Sequence, residues 1–307
     1  MSLGVLLAIS YIIGQMNSPL SQLVNFFRSL QDARLSMERL SEVKFKTKEE
    51  RDNLEFLSDG GQEDIIIENL SFQYEGPKSP YVLKNISVKI PKAKITAIVG
   101  ASGSGKTTLM KLLLRFYDPI IGDIFYGKRD ILKISPKSIR NKSGVVLQDG
   151  FIFSDTIARN IITGDSSNDD EKLLKAVEIA NIEEFVNSLP LRYNTKIGAS
   201  GNGISGGQKQ RILIARAVYK NPEFLFFDEA TSALDAENEK KIHDNLQEFF
   251  KGKTVVIIAH RLSTVKNADN IIVLKKGEVV EQGNHQELVL KRGEYFNLIR
   301  NQLELGQ

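Results

Sequence analysis

KITAIVGASGSGKTTL, residues 94 to 109, is the part of the sequence from which the architecture is predicted. It opens with a short apolar run, as in buried strands, and changes at once to glycine and serine. The spacing G-x-x-x-x-G-K-[ST] is met by Gly100, Gly105, Lys106 and Thr107. Backbone N–H groups in such a loop curl around an anion, and the following helix directs its positive end at it. The stretch therefore predicts a strand, a phosphate-binding loop and a helix that begins near Lys106.

Two side chains of this loop have chemical roles in the prediction. Lys106 is expected to reach the β- and γ-phosphates of a nucleoside triphosphate, and the Thr107 hydroxyl to ligate Mg²⁺. The residues expected to contact the nucleotide are consecutive: Gly100, Ala101, Ser102, Gly103, Ser104, Gly105, Lys106, Thr107 and Thr108. The alternative is a glycine-rich turn that meets the pattern by chance, and the apolar run before it argues against that alternative.

Composition narrows the class of protein. The chain has 307 residues, of which 41% are hydrophobic and 26% charged, as in globular proteins. The net charge is +3, and basic and acidic residues are interspersed, so nucleic acid is not expected as an obligate partner. Cysteine is absent, which excludes disulfides and thiolate zinc sites and agrees with a cytosolic setting.

The N-terminal region has a different pattern. Residues 3 to 14 are apolar, but about twelve residues are fewer than the roughly twenty that cross a bilayer. Two interpretations remain open for them: a buried core helix, or the end of a membrane span. Residues 19 to 43 have apolar positions at helical spacing, which predicts a long amphipathic helix that Ser18-Pro19 starts or kinks. Charged residues and a Gly-Gly pair then indicate a linker.

Beyond the linker, short strand patterns alternate with helices. Strands are predicted at residues 64–68, 82–90, 95–99, 224–227, 255–259, 271–274 and 278–281. The helix that begins near Lys106 is predicted to continue over residues 109–116, and further helices are predicted at residues 171–182, 208–219 and 236–250. This alternation predicts a mostly parallel sheet with helices outside it.

Polar residues follow two further strands of the predicted sheet. Asp228 and Glu229 come directly after residues 224–227, and His260 follows residues 255–259. Because ligands of open α/β sheets bind beyond the carboxyl ends of the strands, these groups are expected near the phosphate loop. Asp228 is predicted to hold Mg²⁺ through water, Glu229 to orient and deprotonate the attacking water, and His260 to contact the γ-phosphate. Exposed carboxylates at a helix start and a structural histidine are the alternatives.

A second anion site is predicted further along the chain. Its residues are Ile204, Ser205, Gly206, Gly207 and Gln208, directly before a predicted helix, with Ser205 as the N-cap. The loop at Lys106 already accounts for the phosphates, so this site needs another purpose. A two-fold dimer, in which each chain closes its Ser205 loop over the nucleotide of the other, is the simplest one.

These motifs resemble the ATP-binding cassette (ABC) family. Residues 64 to 303 look like one complete nucleotide-binding domain, with the phosphate loop, ISGGQ and FLFFDE in the family's order. The resemblance implies an α/β, P-loop NTPase fold with a mostly parallel central sheet, an antiparallel β subdomain and an inserted α-helical subdomain at roughly residues 151–217. It also implies ATP and Mg²⁺ as ligands.

The resemblance assigns four further residues. Tyr74 in LSFQYEG resembles the aromatic residue that stacks on adenine, with a core tyrosine as the alternative. Gln148 in VVLQDGFIF resembles the glutamine that meets Mg²⁺ and couples to the membrane domain. Asp235 in SALD resembles a residue of the loop that crosses the dimer interface. His260 in AHRLS resembles the family's switch histidine, in agreement with the contact to the γ-phosphate predicted above. The expected metal ligands are thus Thr107, Gln148 and Asp228, and the expected catalytic residues are Lys106, Glu229 and His260.

The N-terminal region also resembles part of this family. Residues 3 to 43 are similar to the end of the last transmembrane helix and its cytoplasmic extension in exporters whose membrane and ATPase domains share one chain. The similarity is greatest to peptide exporters that carry a peptidase domain. It implies a division into residues 1–44, a linker at 45–63 and an ATPase domain at 64–307, with the membrane domain upstream. Where many exporters have a glutamate before ISGGQ, this chain reads Gly198-Ala199-Ser200-Gly201, which puts that contact to the membrane domain in doubt.

The resemblance therefore implies an ATPase at the cytoplasmic face of the inner membrane. A pair of nucleotide-binding domains, expected to be a homodimer, would drive export of a substrate, with a peptide favoured. Two alternatives stay open: an ABC ATPase without a membrane domain that acts on ribosomes or DNA, and a binding module that switches conformation with ATP without hydrolysing it. The tandem cassettes and basic insertions usual in the first alternative are not seen.

Overall fold

The computed structural model divides the chain into two compact units, residues 1–49 and 50–307. It describes residues 3–44, 49, 53–57, 63–74, 79–164, 169–198, 201, 203–228, 236–259 and 265–305.

The first unit is one long helix, α1, at Leu3–Lys44. Pro19 lies inside it, so the prediction that Ser18-Pro19 starts the helix is wrong. A proline inside a helix removes one backbone hydrogen bond. The helix continues through Pro19 because its 42 residues form many other backbone hydrogen bonds. The side chains of residues 3 to 40 are exposed, which does not support the interpretation as a buried core helix.

The apolar part of α1 is longer than residues 3 to 14. Within residues 3 to 41, an 18-residue window has a mean hydropathy of 1.4, and this segment is long and apolar enough, by length and composition, to cross a membrane.

The second unit contains two sheets. The smaller sheet is antiparallel, in the order β2-β1-β4-β5. Its strands are β1 at Ile65–Phe72, β2 at Leu83–Ile90, β4 at Ile121–Tyr126 and β5 at Arg129–Asp130. Ile65 pairs with Ile90 in β2 and with Tyr126 in β4, which places β1 in the interior of this sheet. The antiparallel β subdomain implied by the resemblance is thus present.

The larger sheet has six strands. They are β3 at Ile95–Val99, β6 at Ser143–Val146, β7 at Phe224–Asp228, β8 at Thr254–Ile258, β9 at Asn270–Lys275 and β10 at Glu278–Gly283. Their order is β10-β9-β3-β8-β7-β6; neighbouring strands are parallel except at the edge strand β10. The prediction of a mostly parallel sheet is confirmed.

Helices cover this larger sheet. They are α2 at Lys106–Leu113, α3 at Pro136–Asn141, α4 at Ile157–Ile161, α5 at Asp170–Ile179, α6 at Glu183–Ser188, α7 at Gly206–Tyr219, α8 at Ala236–Phe250, α9 at His285–Lys291 and α10 at Glu294–Leu305; short 3₁₀ helices occupy Ile131–Lys133 and Arg192–Asn194. The four helices α4 to α7 are consecutive in the chain, where the helical subdomain is expected.

Alternate residues of the central strands enter two hydrophobic cores. In β8, Val255 and Ile257 belong to the core that the helices α4 to α8 cover, whereas Val256 and Ile258 belong to the other core. Successive side chains of a strand point to opposite faces, so strands this apolar must be covered on both faces. The second core also contains β1, β2 and the inner face of α2. The helix α2 therefore packs between the two sheets.

Two predicted boundaries differ from the structure. The helix α2 begins at Lys106, as predicted, but ends at Leu113 and not at the predicted residue 116. It ends there because Arg115 adopts a left-handed backbone conformation, with φ of 51°. The first strand continues past its predicted end at residue 68 to Phe72, with irregular pairing beyond Ile67.

We expect the Phe226→Ala variant to lose about 3–5 kcal/mol of unfolding free energy, because this ring lies fully buried in the central strand β7. Urea denaturation would measure the loss. The control is Leu290→Ala: Leu290 is 82% exposed, so its truncation should change stability by less than about 0.5 kcal/mol. Equal stabilities of the two variants would contradict the assignment of β7 to the core.

Candidate functional site

The loop predicted to bind phosphate connects β3 to α2. Gly105 is the N-cap of α2 and has a left-handed backbone with φ of 102°. A Cβ there would lie 2.6 Å from Leu83 Cδ2, so only glycine fits between the loop and β2. No side chain caps this helix. The start of an uncapped helix is a favourable place for an anion.

A turn that the sequence analysis did not single out supports the loop. Gly277, between β9 and β10, donates its N–H to the Ser104 carbonyl at 3.2 Å and accepts the Lys84 N–H at 2.8 Å. Its φ is 84°, and a Cβ would lie 2.3 Å from the Val82 carbonyl oxygen. The Lys-Gly sequence between two strand patterns was the available signal for a tight turn. The contact between Gly277 and the phosphate loop depends on tertiary packing, so the local sequence does not predict it.

Lys106 lies inside the curve of the loop. Only 6% of the residue is exposed, and its ammonium donates to the carbonyls of Gly100 at 2.9 Å and Ala101 at 3.0 Å. The structure thus places a cation beside the uncapped first turn of α2, as the motif predicts. Both features attract an anion.

Asp228 and Thr107 meet at the carboxyl end of the central sheet. The Thr107 hydroxyl donates to Asp228 Oδ2 at 2.8 Å, and Asp228 is the last residue of β7. With 2% exposure, Asp228 is not the exposed carboxylate of the alternative interpretation. Its neighbour Glu229 lies outside the described residues.

A cleft of about 250 Å³ opens over the loop. It is lined by Val82, Ser102, Gly103, Gly105, Lys106, Thr107, Thr108 and Gln148. Gln148 follows β6, and the cleft therefore brings together two of the predicted motifs that are distant in sequence. Val82 is a lining residue that the sequence analysis missed, since an apolar residue at a strand start has no distinguishing signal.

The oxygen groups around Thr107 suit Mg²⁺. A hydroxyl and a carboxylate are in hydrogen-bond contact, and the Gln148 amide lines the same cleft. Among the described residues, no three His, Cys, Asp or Glu side chains group into a metal site. Mg²⁺ is usually held by one or two carboxylates together with substrate phosphates, so this sparse set fits it.

Tyr74 stands next to the phosphate loop. Its hydroxyl lies 2.9 Å from Thr108 Oγ1, and its ring is perpendicular to those of Phe72 and Tyr117, with centroids 5.1 and 5.2 Å away. The residue is 45% exposed, which does not agree with the alternative of a core tyrosine. Tyr74 is connected to the cleft through Thr108 but does not itself line it.

The predicted second anion site is at the start of α7. Ser205 caps this helix: its hydroxyl accepts the Gln208 N–H at 3.2 Å, and Gln208 Oε1 accepts the Ser205 N–H at 2.8 Å. Ser205 and Gly206 are exposed. The cleft lining includes none of the described residues from 203 to 208. The two anion sites are therefore separate within one chain.

Arg216 connects α7 to the segment after Gln148. Its guanidinium donates to the Asn160 carbonyl at 2.7 Å and the Phe151 carbonyl at 2.8 Å, and lies 5.4 Å from the centroid of the Phe153 ring. Burial lowers the pKa of Arg216, which nevertheless stays charged at neutral pH. This network joins the segment after Gln148 to the helix that carries the second anion site.

A groove of about 1140 Å³ borders the same network. Its lining includes residues 153–156 and, elsewhere in the chain, Arg159, Leu174 and Tyr193. The groove is therefore part apolar and part polar.

Three predicted site residues, Glu229, Asp235 and His260, lie outside the described residues. Their roles stay predictions. The departure from the family pattern at residues 198–201 is described only at its two glycines.

Comparisons with known proteins agree with this geometry. Residues 83–232 match the family model described as ABC transporter. The leukotoxin translocation ATP-binding proteins LktB of Mannheimia glucosida and Bibersteinia trehalosi are each 42% identical to this chain over 306 and 307 residues. Each alignment covers all of this chain and 43% of the relative, so the chain spans less than half of their length.

A solved structure shares the fold. The structure of a bacterial Atm1-family ABC exporter with ATP bound superposes with a TM-score of 0.82 at 34% identity, over 98% of this chain and 53% of that one. Together with the cleft over the phosphate loop, these likenesses show that the chain carries an ABC transporter ATP-binding domain.

Proposed function

We propose that this chain binds ATP with Mg²⁺ and hydrolyses it as one half of a two-fold dimer, and that hydrolysis drives export across a membrane. The observation that carries the proposal is the cleft in which Lys106, Thr107 and Gln148 converge, with Asp228 bonded to Thr107. The exporter-type relatives support the direction of transport.

The residues of the cleft divide the work on the triphosphate. The N–H groups at the start of α2 and the Lys106 ammonium hold and neutralise the phosphates, and Tyr74 stacks on the adenine. Thr107, Asp228 and Gln148 hold Mg²⁺, which supplies further charge neutralisation. Glu229 orients the attacking water and accepts its proton, and His260 contacts the γ-phosphate. Most of the acceleration comes from positioning and charge.

The dimer supplies what one chain lacks. Ser205, Gly206, Gly207 and Gln208 are separate from the cleft of their own chain, and Ser205 and Gly206 are exposed. In the proposed pair they contact the ATP held by the partner, and Asp235 lies at the same interface. Isologous symmetry then gives two identical sites.

The proposed partner outside the pair is a membrane domain of the same protein. Residues 1–44 would be the end of its last transmembrane helix, residues 45–63 a linker, and residues 64–307 the ATPase domain on the cytoplasmic face of the inner membrane. Support comes from the exposed, apolar helix α1 and from relatives more than twice as long as this chain. The groove beside Phe153 is where the membrane domain would dock, in contact with the segment that follows Gln148.

A peptide or protein is the proposed cargo. The relatives named for leukotoxin translocation support it. No described feature favours a ribosome or DNA as the target. Phosphate release from the purified chain would separate hydrolysis from a switch that only binds ATP.

We expect Glu229→Gln to lower ATP turnover by about a hundred- to ten-thousand-fold, because a general base is lost, while ATP affinity is retained. ATP should also hold the variant as a long-lived dimer, which size-exclusion chromatography detects. The matched control is Glu248→Gln on α8, where the carboxylate is exposed and paired with Lys251. Unchanged turnover in Glu229→Gln would remove Glu229 from the role of base.

We expect Ser205→Arg to abolish the ATP-induced dimer but to leave the ATP affinity of the monomer unchanged, because Ser205 serves the partner's site. Chromatography and calorimetric titration measure the two effects. Asn284→Arg is the control: Asn284 forms the same kind of capping box at α9, so its loss costs a similar ~1 kcal/mol without touching the proposed interface. Weaker ATP binding by monomeric Ser205→Arg would place Ser205 at its own chain's nucleotide.

A further inference from the structure

Three aromatic rings form a triangle beside the phosphate loop. They belong to Phe72, the last residue of β1, to Tyr74 and to Tyr117, in the turn that follows α2. Their centroids are separated by 5.1 Å (Phe72 to Tyr74), 5.2 Å (Tyr74 to Tyr117) and 5.5 Å (Phe72 to Tyr117). We call these three residues the aromatic triangle.

The orientation of the Tyr74 ring depends on its neighbours. The torsion that turns a tyrosine ring about its Cβ–Cγ bond has a broad preference, so the backbone alone does not set the plane of the ring. Here the rings of Phe72 and Tyr117 stand at 85° and 87° to it, the edge-to-face arrangement that aromatic pairs favour. Turning the Tyr74 ring would break both arrangements.

The tip of the same ring is also held. The Tyr74 hydroxyl lies 2.9 Å from Thr108 Oγ1, and Thr108 belongs to the first turns of α2 and lines the cleft. The ring is therefore fixed both in orientation and in distance from the phosphate loop. Tyr74 as a whole residue remains 45% exposed, so it is accessible to a ligand.

The two neighbours of Tyr74 differ in burial. Phe72 is buried in the core between the two sheets, so its removal would disturb that core. Tyr117 is 40% exposed and does not belong to that core, so its ring contacts can be removed with less disturbance.

We propose that Tyr117 is a positioning residue for the nucleobase: with Phe72 it fixes the Tyr74 ring before the nucleotide arrives. This inference rests on the proposed function, in which Tyr74 stacks on adenine. A ring that is ordered in advance loses less freedom on binding, and affinity rises accordingly. Tyr117 thereby contributes to the recognition of the base and not to the binding of the phosphates.

The test compares two ligands, Mg²⁺-ATP and Mg²⁺-tripolyphosphate, by calorimetric titration of the 307-residue chain. We expect Tyr117→Leu to bind ATP roughly two- to ten-fold more weakly, as one aromatic pair is lost, and tripolyphosphate with unchanged affinity. Tyr117→Phe keeps the ring and should restore ATP affinity. If Tyr117→Leu caused a general structural defect, the affinities for both ligands would fall equally, and Tyr117→Phe would not restore them.

The control is Phe116→Leu, in the same turn. Phe116 is comparably exposed, but its ring contacts Arg140, with the guanidinium 5.0 Å from the centroid, and it is not part of the triangle. Both affinities should be unchanged in this variant. An equal loss of ATP affinity in Phe116→Leu and Tyr117→Leu would overturn the inference, as would wild-type ATP affinity in Tyr117→Leu.

Two further variants separate this inference from the proposed function. Lys106→Ala should lower the affinity for both ligands, and Tyr74→Ala should lower the affinity for ATP alone. If the unaltered chain binds no ATP, the proposed function fails. If it binds ATP and Tyr74→Ala does so equally well, the stacking role of Tyr74 fails and the role of the aromatic triangle fails with it, whereas ATP binding by the phosphate loop stands.

Discussion

The site depends on a helix whose first turn is not capped by any side chain and which is held in place from both sides. The inner face of α2 packs in the core between the antiparallel sheet and the central sheet, and its first turn begins directly after Gly105. The first turn of α2 borders the cleft over the loop, where an uncapped helix start favours an anion. Hydrophobic packing thus fixes the position of the helix start that borders the cleft. The other elements of the site are arranged around this helix start.

The central sheet brings the remaining groups to that point. The strands β3 and β7 are separated in the sheet only by β8, and both end at the same edge. This is why Thr107 and Asp228, far apart in sequence, are within 2.8 Å. Gln148 reaches the cleft for the same reason. It follows β6, which is parallel to its neighbour β7 and ends at the same edge of the sheet. The apolar interior of the sheet therefore determines the geometry of the polar site.

The sequence predicted those elements whose signal is local. The limits of β3, the start of α2 and the cap at Ser205 follow from apolar runs, glycine and serine, and the structure agrees with them. Contacts made through tertiary packing were not predictable. Gly277 supports the loop and Val82 lines the cleft only because β9 and β2 approach the loop, and Tyr117 meets Tyr74 only because α2 ends at Leu113. The short strands β4 and β6 were missed because they contain glycine beside polar residues, which weakens an alternating pattern.

The two helix starts that are offered to phosphate are unequal. At α7 the Ser205 hydroxyl already accepts one N–H of the first turn, whereas α2 has no side-chain cap and has the Lys106 ammonium inside its loop. In the proposed dimer, a γ-phosphate shared between the two helix starts would therefore be bound more tightly by the α2 start of one subunit than by the α7 start of the other. When the proposed dimer separates, the nucleotide should stay with the subunit whose phosphate loop and Lys106 bind it. Each subunit would then keep its own nucleotide while the dimer opens.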